Sequence, residues 1–383
     1  MKKKKKSLLF FRNMAIVFVL IIFILTILNL LKKDQSFSES ENRMLAEKPK
    51  FSVERLIQGK YTDNFETYIN DQFIFRDLFV KIKTTTDYLL GKREENHVFL
   101  GKKGYLIENF TEPSSENVEA NEKAILSFAK EQSEIKQYML LSPTAISILD
   151  DYLPLFAKGN DQRGAITGFQ TALEGSQIEM IDVEEALIEN KEKGVFYKTD
   201  HHWTTFGAYT AFEEAAKVMN LQTETISYEA NVVTYDFQGT LSAKSGFRTN
   251  EKEKMEVYLP KSGGVSYVVN YVEEQEKTTT LYNIEKLKVR DKYAMFLDGN
   301  HSQIKIQTTS ESGERLLIFK DSYANSFIQF LLPYYREIVI VDPRYYYGDI
   351  RELIEEEQIS QILYLYNANT FFEDNTLRTV IGS

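Results

Sequence analysis

Two short segments of the chain carry residue types that could transfer an acyl group. Residues 198–204 read KTDHHWT and contain two of the four histidines and the only tryptophan, while residues 319–323 read FKDSY. Acyl transfer through a serine needs a base that takes the hydroxyl proton and an acid that orients this base. Histidine suits the first task because its pKa lies near neutral pH. Asp200 and His202, two residues apart, could supply both groups to Ser322.

The two neighbouring histidines are expected to play different roles. On an extended backbone, adjacent side chains point to opposite sides, so His202 would share a side with Asp200 and His201 would not. A metal site built from these residues is less favoured, because such sites usually need three protein ligands and the other histidines, His97 and His301, lie far away in sequence. We therefore expect no metal and no cofactor. A purely structural role, in capping and core packing, stays open for either segment alone.

Short apolar segments alternate with amphipathic ones over most of the chain, and they predict the elements that position these residues. The predicted strands are 137–141, 178–183, 315–320, 337–341 and 361–366, and the predicted helices are 116–134, 162–173, 204–219, 323–332 and 350–357. This pattern predicts an α/β fold with a parallel sheet and helices on both faces. Residues 223–312 interrupt it with alternating runs and predict a β-rich insertion. Ser322 would then follow a buried strand, at the edge where open α/β sheets collect reactive groups.

The N-terminal region predicts a membrane anchor. Residues 1–13 are basic, and residues 14–31 are apolar and uncharged, close to the ~20 residues that a spanning helix needs. A cleaved signal peptide is the alternative, but Lys32, Lys33 and Asp34 follow in place of a small-residue cleavage site. The more basic flank stays in the cytoplasm, which predicts a single-pass protein of the cell membrane with its C-terminal part outside.

The predicted domain organisation follows from this anchor. After the cytoplasmic tail (1–13) and the span (14–31) come a stalk and helical region (34–110) and a catalytic domain (111–383). Within the former, residues 34–60 are polar, 61–90 predict a helical pair broken near Asp71, and 98–107 predict a hairpin.

Composition excludes several other classes of function. Residues 1–33 hold eight basic and no acidic residues, so the remainder has 38 basic and 56 acidic ones. A domain this acidic is not expected to bind nucleic acid, which requires clusters of Lys and Arg. The chain contains no cysteine, which excludes disulfides, thiolate metal sites and cysteine nucleophiles. With 43% hydrophobic residues, it is long enough to form a core without them.

The chain resembles the DHHW family, which is SGNH-hydrolase-like and related to the alginate O-acetyltransferases of the AlgJ and AlgX type. The motifs that carry the resemblance are SESENRMLAEKPKFS (38–52), GKYTDNFETYINDQFIFRD (59–77), VFLGKKGYLIE (98–108), DHHW (200–203), FLDGNHS (296–302), LLIFKDSYANSF (316–327) and VDPRYYY (341–347). The resemblance implies a flavodoxin-like SGNH fold in which the motif order is circularly permuted. It also implies that Ser322 is the nucleophile, His202 the general base and Asp200 its orienting carboxylate.

Further site residues follow from the same resemblance. The backbone N–H of Ser322 would be one oxyanion donor, with Asn369 as a candidate second donor and Asn367 as its alternative. Candidates for lining the cleft or binding substrate are Asn300, His301, Arg344, Trp203 and His201. The chain departs from the superfamily where Lys320 replaces the usual glycine before Asp-Ser, which removes a permissive backbone position.

The resemblance implies an O-acyltransferase, acetyl being the expected group, that modifies a cell-envelope or secreted polysaccharide. A multi-spanning membrane O-acyltransferase would be the partner that passes acyl groups outward. Two alternatives stay open: an acetyl-esterase with the same triad, and a non-catalytic glycan-binding or scaffold subunit, which the substitution by Lys320 favours.

Overall fold

The computed structural model describes residues 2–38, 43–247 and 252–382. Residues 39–42, part of the SESENRMLAEKPKFS motif, and residues 248–251, part of the predicted insertion, lie outside this described part. The chain divides into two compact units, Met1–Lys92 and Arg93–Ser383. The predicted hairpin at 98–107 thus belongs to the second unit.

The described elements of the first unit are mostly helical. They are α1 (Lys2–Leu31), β1 (Phe37–Ser38), β2 (Arg43–Met44), α2 (Val53–Ile57), α3 (Lys60–Gln72) and α4 (Arg76–Leu89). The predicted helical pair is confirmed as α3 and α4, which are separated by residues 73–75. The predicted stalk is less extended than expected, because β1 and β2 pair antiparallel and Ser52 caps α2 by accepting from the Arg55 N–H.

Helix α1 contains an apolar stretch of 23 residues, Leu9–Leu31, whose side chains are not buried by the rest of the chain. A helix of about 20 apolar residues is long enough to cross the hydrocarbon core of a bilayer. The stretch includes the predicted span at 14–31 and extends it towards the N-terminus. By length and composition α1 is a candidate membrane span, a property that a signal sequence shares.

The second unit contains strands and helices in alternation. Its strands are β3 (Glu94–Glu95), β4 (Val98–Leu100), β5 (Leu106–Glu108), β6 (Lys136–Ser142), β7 (Ile178–Ile181), β8 (Ser227–Phe237), β9 (Glu253–Ser262), β10 (Tyr267–Tyr271), β11 (Glu276–Thr278), β12 (Gln303–Thr308), β13 (Arg315–Lys320), β14 (Glu337–Val341) and β15 (Gln361–Asn367). Its α-helices are α5 (Ser115–Glu131), α6 (Ala145–Ile148), α7 (Gln162–Leu173), α8 (Glu184–Glu189), α9 (Thr205–Val218), α10 (Thr240–Ser245), α11 (Ala324–Phe327), α12 (Ile350–Glu356), α13 (Ala368–Glu373) and α14 (Thr376–Gly382).

An eight-stranded sheet forms the centre of this unit, in the order β11-β10-β12-β14-β13-β15-β6-β7. The five strands from β14 to β7 in this order are parallel and correspond to the five predicted from the alternating pattern. The sheet is not purely parallel as predicted, because the predicted insertion contributes antiparallel strands to it. This insertion adds β10, β11 and β12 antiparallel at one edge and forms a separate hairpin from β8 and β9.

Burial explains why the central strands are continuous apolar runs. All residues of β14 and β15 are buried, as expected for strands covered on both faces. The helix predicted at 323–332 is shorter and irregular: α11 is followed by 3₁₀ turns at Ile328–Phe330 and Leu332–Tyr334. Pro333 lacks a backbone donor and cannot continue an α-helix. Because β6, β13 and β15 run parallel, their carboxyl ends bring Ser142, Lys320 and Asn367 to one edge of the sheet.

Candidate active site

A tight hairpin carries the DHHW motif. Phe196 and Trp203 form an antiparallel bridge, and the Tyr197 N–H donates to the His202 carbonyl at 3.2 Å. Thr204 caps the following helix, α9, with its hydroxyl accepting from the Gly207 N–H at 3.1 Å. The hairpin therefore has a fixed shape, with the motif at its turn.

Trp203 attaches this hairpin to the segment that carries the serine. Its indole is fully buried, and Nε1 donates to the Tyr323 carbonyl and to the Ser326 hydroxyl, both at 3.0 Å. The Tyr323 hydroxyl donates back to the His201 carbonyl at 2.5 Å. Trp203, predicted as a cleft residue, is thus a core residue that holds the two halves of the site together.

The structure brings Ser322, His202 and Asp200 into one chain of hydrogen bonds. The distance from His202 Nε2 to Ser322 Oγ is 2.7 Å, and the distance from His202 Nδ1 to Asp200 Oδ1 is 2.5 Å. The His202 backbone N–H also donates to the same Asp200 oxygen, at 3.0 Å. This order, serine to imidazole to carboxylate, is the order that nucleophilic acyl transfer needs.

Asp200 has a further partner that the sequence did not reveal. Its second oxygen accepts from the Thr240 backbone N–H at 2.7 Å and from the Thr240 hydroxyl at 3.0 Å. The backbone of Gly239 packs directly against Asp200, so that a Cβ added at Gly239 would lie only 2.2 Å from the Asp200 Cβ. A glycine is therefore required beside Asp200, and the Gly-Thr pair before a short helix was the available signal.

Electrostatics favour an ionised Asp200 beside a neutral imidazole. Burial tends to raise the pKa of Asp200, but the charges of His202 and His201 and the hydrogen bonds it accepts lower that pKa well below its usual range. The pKa of His202 is lowered to about 4, first by burial and then by the charge of His201, against the opposite effect of Asp200. Tyr293 stacks on the His202 ring at 3.6 Å between centroids and 10° between planes. A neutral, desolvated imidazole of this kind can accept a proton from Ser322.

The position of His201 differs from the prediction. Its ring lies 3.9 Å from that of His202, so the two side chains are neighbours and do not point to opposite sides. The reason is that residues 200–202 bend and are not extended. His201 Nδ1 lies 2.9 Å from the Thr240 hydroxyl, and 31% of the side chain is exposed.

The same geometry bears on metal binding. Ligand atoms of Asp200, His201 and His202 lie within 4.8 Å of one another and could hold an ion. Both ring nitrogens of His202 are, however, already bonded to Asp200 and Ser322. A metal at His202 would therefore have to displace one of these two partners.

The candidate oxyanion residues are placed unequally. The backbone N–H of Ser322 has no hydrogen-bond partner among the described residues, so it is available to an anion. Asn367 Nδ2 donates to Asp321 Oδ2 at 2.6 Å, and Asn367 also caps α13. Asn369 accepts from Gln162 Nε2 at 2.7 Å and donates to a backbone carbonyl. Neither amide is directed at Ser322 in this structure.

Lys320, at the end of β13, is held in a buried polar network. Its side chain is fully buried, and Nζ donates to Asn300 Oδ1 at 2.8 Å and to Asn325 Oδ1 at 2.9 Å, with Asp342 Oδ2 at 3.4 Å. Burial lowers the pKa of Lys320, against the raising effect of Asp342. The side chain that replaces glycine therefore packs among buried polar groups at the sheet edge, and its charge contributes to the lowered pKa of His202.

Other predicted cleft residues belong to this buried network or lie apart from it. Arg344 makes a two-pronged ion pair with Asp342, at 2.8 and 2.6 Å. His301 contacts Glu274 Oε1 at 2.6 Å and packs against Tyr271. A small cleft beside His201 instead has lining residues that sequence reasoning largely missed, namely Glu108, Thr144, Ala145, His201, Leu241 and Asn367.

The parallel sheet, the serine after its central strand and the buried Asp–His pair define an SGNH-hydrolase-like α/β protein. The chain belongs to the family described as SGNH hydrolase-like domain, acetyltransferase AlgX, whose model matches residues 98–322. The family resemblance predicted from the motifs is thereby confirmed.

Two solved structures have the same fold. A DHHW family protein from Eubacterium siraeum is similar over 74% of this chain and 95% of its own, with 20% sequence identity and a TM-score of 0.63. Bacillus cereus PatB1 with a sulfonyl adduct is similar over 73% of this chain and 97% of its own, with 20% identity and a TM-score of 0.61. No protein of curated function matches the chain.

Proposed function

We propose that the chain is a membrane-anchored, extracytoplasmic O-acyltransferase that places an acyl group, acetyl being the expected one, on hydroxyls of a cell-envelope or secreted polysaccharide. The observation that carries the proposal is the continuous chain of hydrogen bonds from Ser322 through His202 to Asp200. Membership of an acetyltransferase-type family supports the choice of acyl group.

The reaction would proceed in two balanced steps. Ser322 Oγ attacks the carbonyl carbon of the acyl donor while His202 Nε2 takes its proton; the bond to the leaving group then breaks, and the leaving group receives that proton. The acyl group is now an ester of Ser322. In the second step a sugar hydroxyl attacks this ester, His202 takes the hydroxyl proton, and the proton returns to Ser322 as the sugar ester leaves. Asp200 stabilises the imidazolium in both steps, and the Ser322 N–H stabilises the oxyanion.

The proposed topology rests on α1. Basic residues precede the apolar stretch Leu9–Leu31, which favours a cytoplasmic N-terminus and an extracytoplasmic catalytic unit. An anchor would keep the catalytic unit close to a multi-spanning membrane O-acyltransferase that delivers acyl groups. In this proposal residues 1–13 form the cytoplasmic tail and the catalytic domain extends to residue 383.

The alternative of a non-catalytic subunit depended on Lys320. That argument is weakened, because the ammonium group is bonded to Asn300, Asn325 and Asp342 and not to Ser322. An acetyl-esterase would use the same three residues and differ only in its acceptor, water in place of a sugar.

Turnover of a chromogenic acetyl ester by the full-length chain in detergent tests the proposal. Ser322→Ala should reduce turnover at least roughly 1,000-fold, because the nucleophile is lost, while thermal stability changes by only about 1 kcal/mol. Ser142→Ala is the matched control: this serine also ends a central strand, but its hydroxyl bonds only the Pro143 carbonyl. Equal activity of Ser322→Ala and wild type would overturn the assignment of the nucleophile.

A soluble oligosaccharide acceptor separates the three functions. Mass spectrometry should find acetylated sugar, lost in Ser322→Ala. Free acetate alone, with the acceptor unchanged, would indicate an esterase. No product above the buffer rate would indicate a binding subunit.

A further inference from the structure

Helix α4 presents an apolar face that the other described elements of the first unit leave uncovered. The exposed fractions of Leu78, Phe79, Ile82 and Leu89 are 53%, 48%, 52% and 77%. Their spacing places them on one side of the helix. Soluble proteins rarely expose a contiguous apolar stripe of this size unless something binds there.

Most of the other residues of α4 are polar. Lys83 and Asp87, four residues apart, form an ion pair at 3.1 Å with the lysine side chain 58% exposed. Lys81 is exposed as well, and Thr84 is buried. A short helix with charged residues on one side and large apolar residues on the other is typical of helices that lie in the surface of a bilayer.

The corner between α3 and α4 is fixed to the end of α1. The Ile74 N–H donates to Asn29 Oδ1 at 2.9 Å, and Lys32 Nζ donates to the Gln72 carbonyl at 3.2 Å. The Gln72 side chain adds two bonds to the Gln35 backbone, at 3.0 and 2.8 Å. Asn29 lies inside the candidate span Leu9–Leu31, so α4 begins level with the last turn of that span.

We propose that α4 lies in the outer surface of the lipid bilayer, with Leu78, Phe79, Ile82 and Leu89 among the upper parts of the acyl chains. This inference rests on the proposed anchoring by α1. A surface helix of this kind buries its apolar side roughly 5–10 Å into the boundary between headgroups and acyl chains. Helix α4 would then be a second membrane contact, within the region 34–110 for which the sequence predicted a stalk and helices.

Site-directed fluorescence tests this placement, and the absence of native cysteine makes it direct. Three single-cysteine variants of the full chain, Ile82→Cys, Lys81→Cys and Leu20→Cys, are labelled with an environment-sensitive fluorophore and reconstituted into phosphatidylcholine–phosphatidylglycerol vesicles. Nitroxides attached near the headgroup end or near the methyl end of the acyl chain then quench by depth, and iodide quenches from water. Circular dichroism verifies that each labelled protein is folded, with Leu78→Cys as the replacement if the Ile82 variant is not.

The expected result is a blue-shifted Ile82 probe that is quenched most by the shallow nitroxide and is protected from iodide. The Lys81 probe should be quenched by iodide, and the Leu20 probe by the deep nitroxide. An Ile82 probe open to iodide, with Leu20 in the lipid, would overturn the inference and leave the anchor intact. An Ile82 probe protected from both iodide and nitroxides would mean that protein covers the face, which also overturns it. A Leu20 probe outside the lipid would overturn the anchor itself.

Discussion

Two buried aspartates in different parts of the chain are connected to Ser322. Asp321 precedes it in sequence, and Asp200 is linked to it through His202. Asp200, on the DHHW hairpin, is 2% exposed, and Asp321, at the end of β13, is 0% exposed. Asp200 is bonded to an imidazole and to Thr240. Asp321 accepts only from neutral groups: the Tyr323 N–H at 2.8 Å and the backbone and side-chain amides of Asn367 at 2.9 and 2.6 Å.

The pKa values of the two carboxyl groups are shifted in opposite directions. Burial raises the pKa of Asp321 from 3.8 to about 6, although its hydrogen bonds lower it in part. Burial acts on Asp200 in the same sense, but the two histidines outweigh it and lower the pKa. Burial alone therefore does not determine whether an aspartate is ionised. The deciding factor is a neighbouring partner that can carry a positive charge. We infer that Asp200 acts through its negative charge. Asp321 instead acts by accepting hydrogen bonds that fix the turn before α11.

The largest expected effect compares Asp200→Asn with Asp321→Asn. Asp200→Asn should lower turnover of the acetyl ester roughly 10,000-fold, because the imidazole loses the carboxylate that fixes its tautomer and stabilises its charge. Asp321→Asn should leave turnover within about tenfold of wild type, because the amide keeps an oxygen for the Tyr323 N–H. Rates and melting curves are measured together. Equal losses of turnover in the two variants would contradict the different roles inferred for Asp200 and Asp321.

Lys320→Met tests whether the cation beside Asp321 in sequence acts on the reaction. Its ammonium group bonds Asn300, Asn325 and Asp342, so its removal should cost roughly 3 kcal/mol of unfolding free energy, as for a broken buried pair. Turnover of the protein that remains folded should fall far less than in Asp200→Asn. Lys217→Met is the control, since that lysine is 68% exposed and should contribute less than about 1 kcal/mol. A loss of turnover as large as that of Asp200→Asn, with unchanged stability, would contradict a structural role.

The pH dependence of stability should also separate the aspartates. Because the folded state raises the pKa of Asp321 from 3.8 to about 6, its contribution to stability is present below pH 4 and is lost as the pH rises to 6, on the order of 2–3 kcal/mol. The pKa of Asp200 is lowered, so its contribution is present above pH 4 and is lost only at lower pH.

Urea denaturation of wild type and Asp321→Asn at pH 4, 5 and 6 measures this effect. The difference between the two proteins cancels the contribution of His202, whose lowered pKa acts with the opposite sign in this range. The stability of Asp321→Asn relative to wild type should increase with pH. A constant difference would show that Asp321 titrates at its ordinary pKa.

The smallest effect is expected from His201→Ala. The charge of His201 lowers the pKa of His202, so its removal should move the acid limb of the kcat/KM profile to higher pH. At pH 7 His202 stays mostly neutral, and turnover should change less than roughly tenfold. His97→Ala is the control: because His97 lies outside the site, this variant should leave the acid limb of the kcat/KM profile unchanged. A downward shift of the limb in His201→Ala would contradict the effect inferred from the close, tilted contact of the two rings, whose centroids lie 3.9 Å apart.

The sequence predicted the parts of this site that depend on local pattern. The run RLLIFK is apolar enough to be a buried strand, so the position of Ser322 just beyond its end could be predicted, and Asp200 and His202 came from their spacing. Thr240 was missed, because the Gly239-Thr240 pair signals a turn before a short helix but not a contact with Asp200, 40 positions away along the chain. The pairing of β12 with β14 was missed for a similar reason: alternation predicts strands but not their neighbours. The bend at 200–202, which moved His201 next to His202, has no periodic signal at all.

The strand order has a consequence for how the fold assembles during synthesis. β15, one of the last elements of the chain, lies between β13 and β6 and is the strand that connects the two groups of parallel strands. A ribosome delivers β6 and β7 early and β13 and β14 late, yet these halves cannot join until residues 361–367 arrive. Pairings so distant along the chain form slowly, after local structure. Ser322 and His202, 120 residues apart, are therefore expected to reach their final spacing only after residues 361–367 have been synthesised. A nascent chain stalled before Gln361 would carry Ser322, His202 and Asp200 without the complete sheet that positions them.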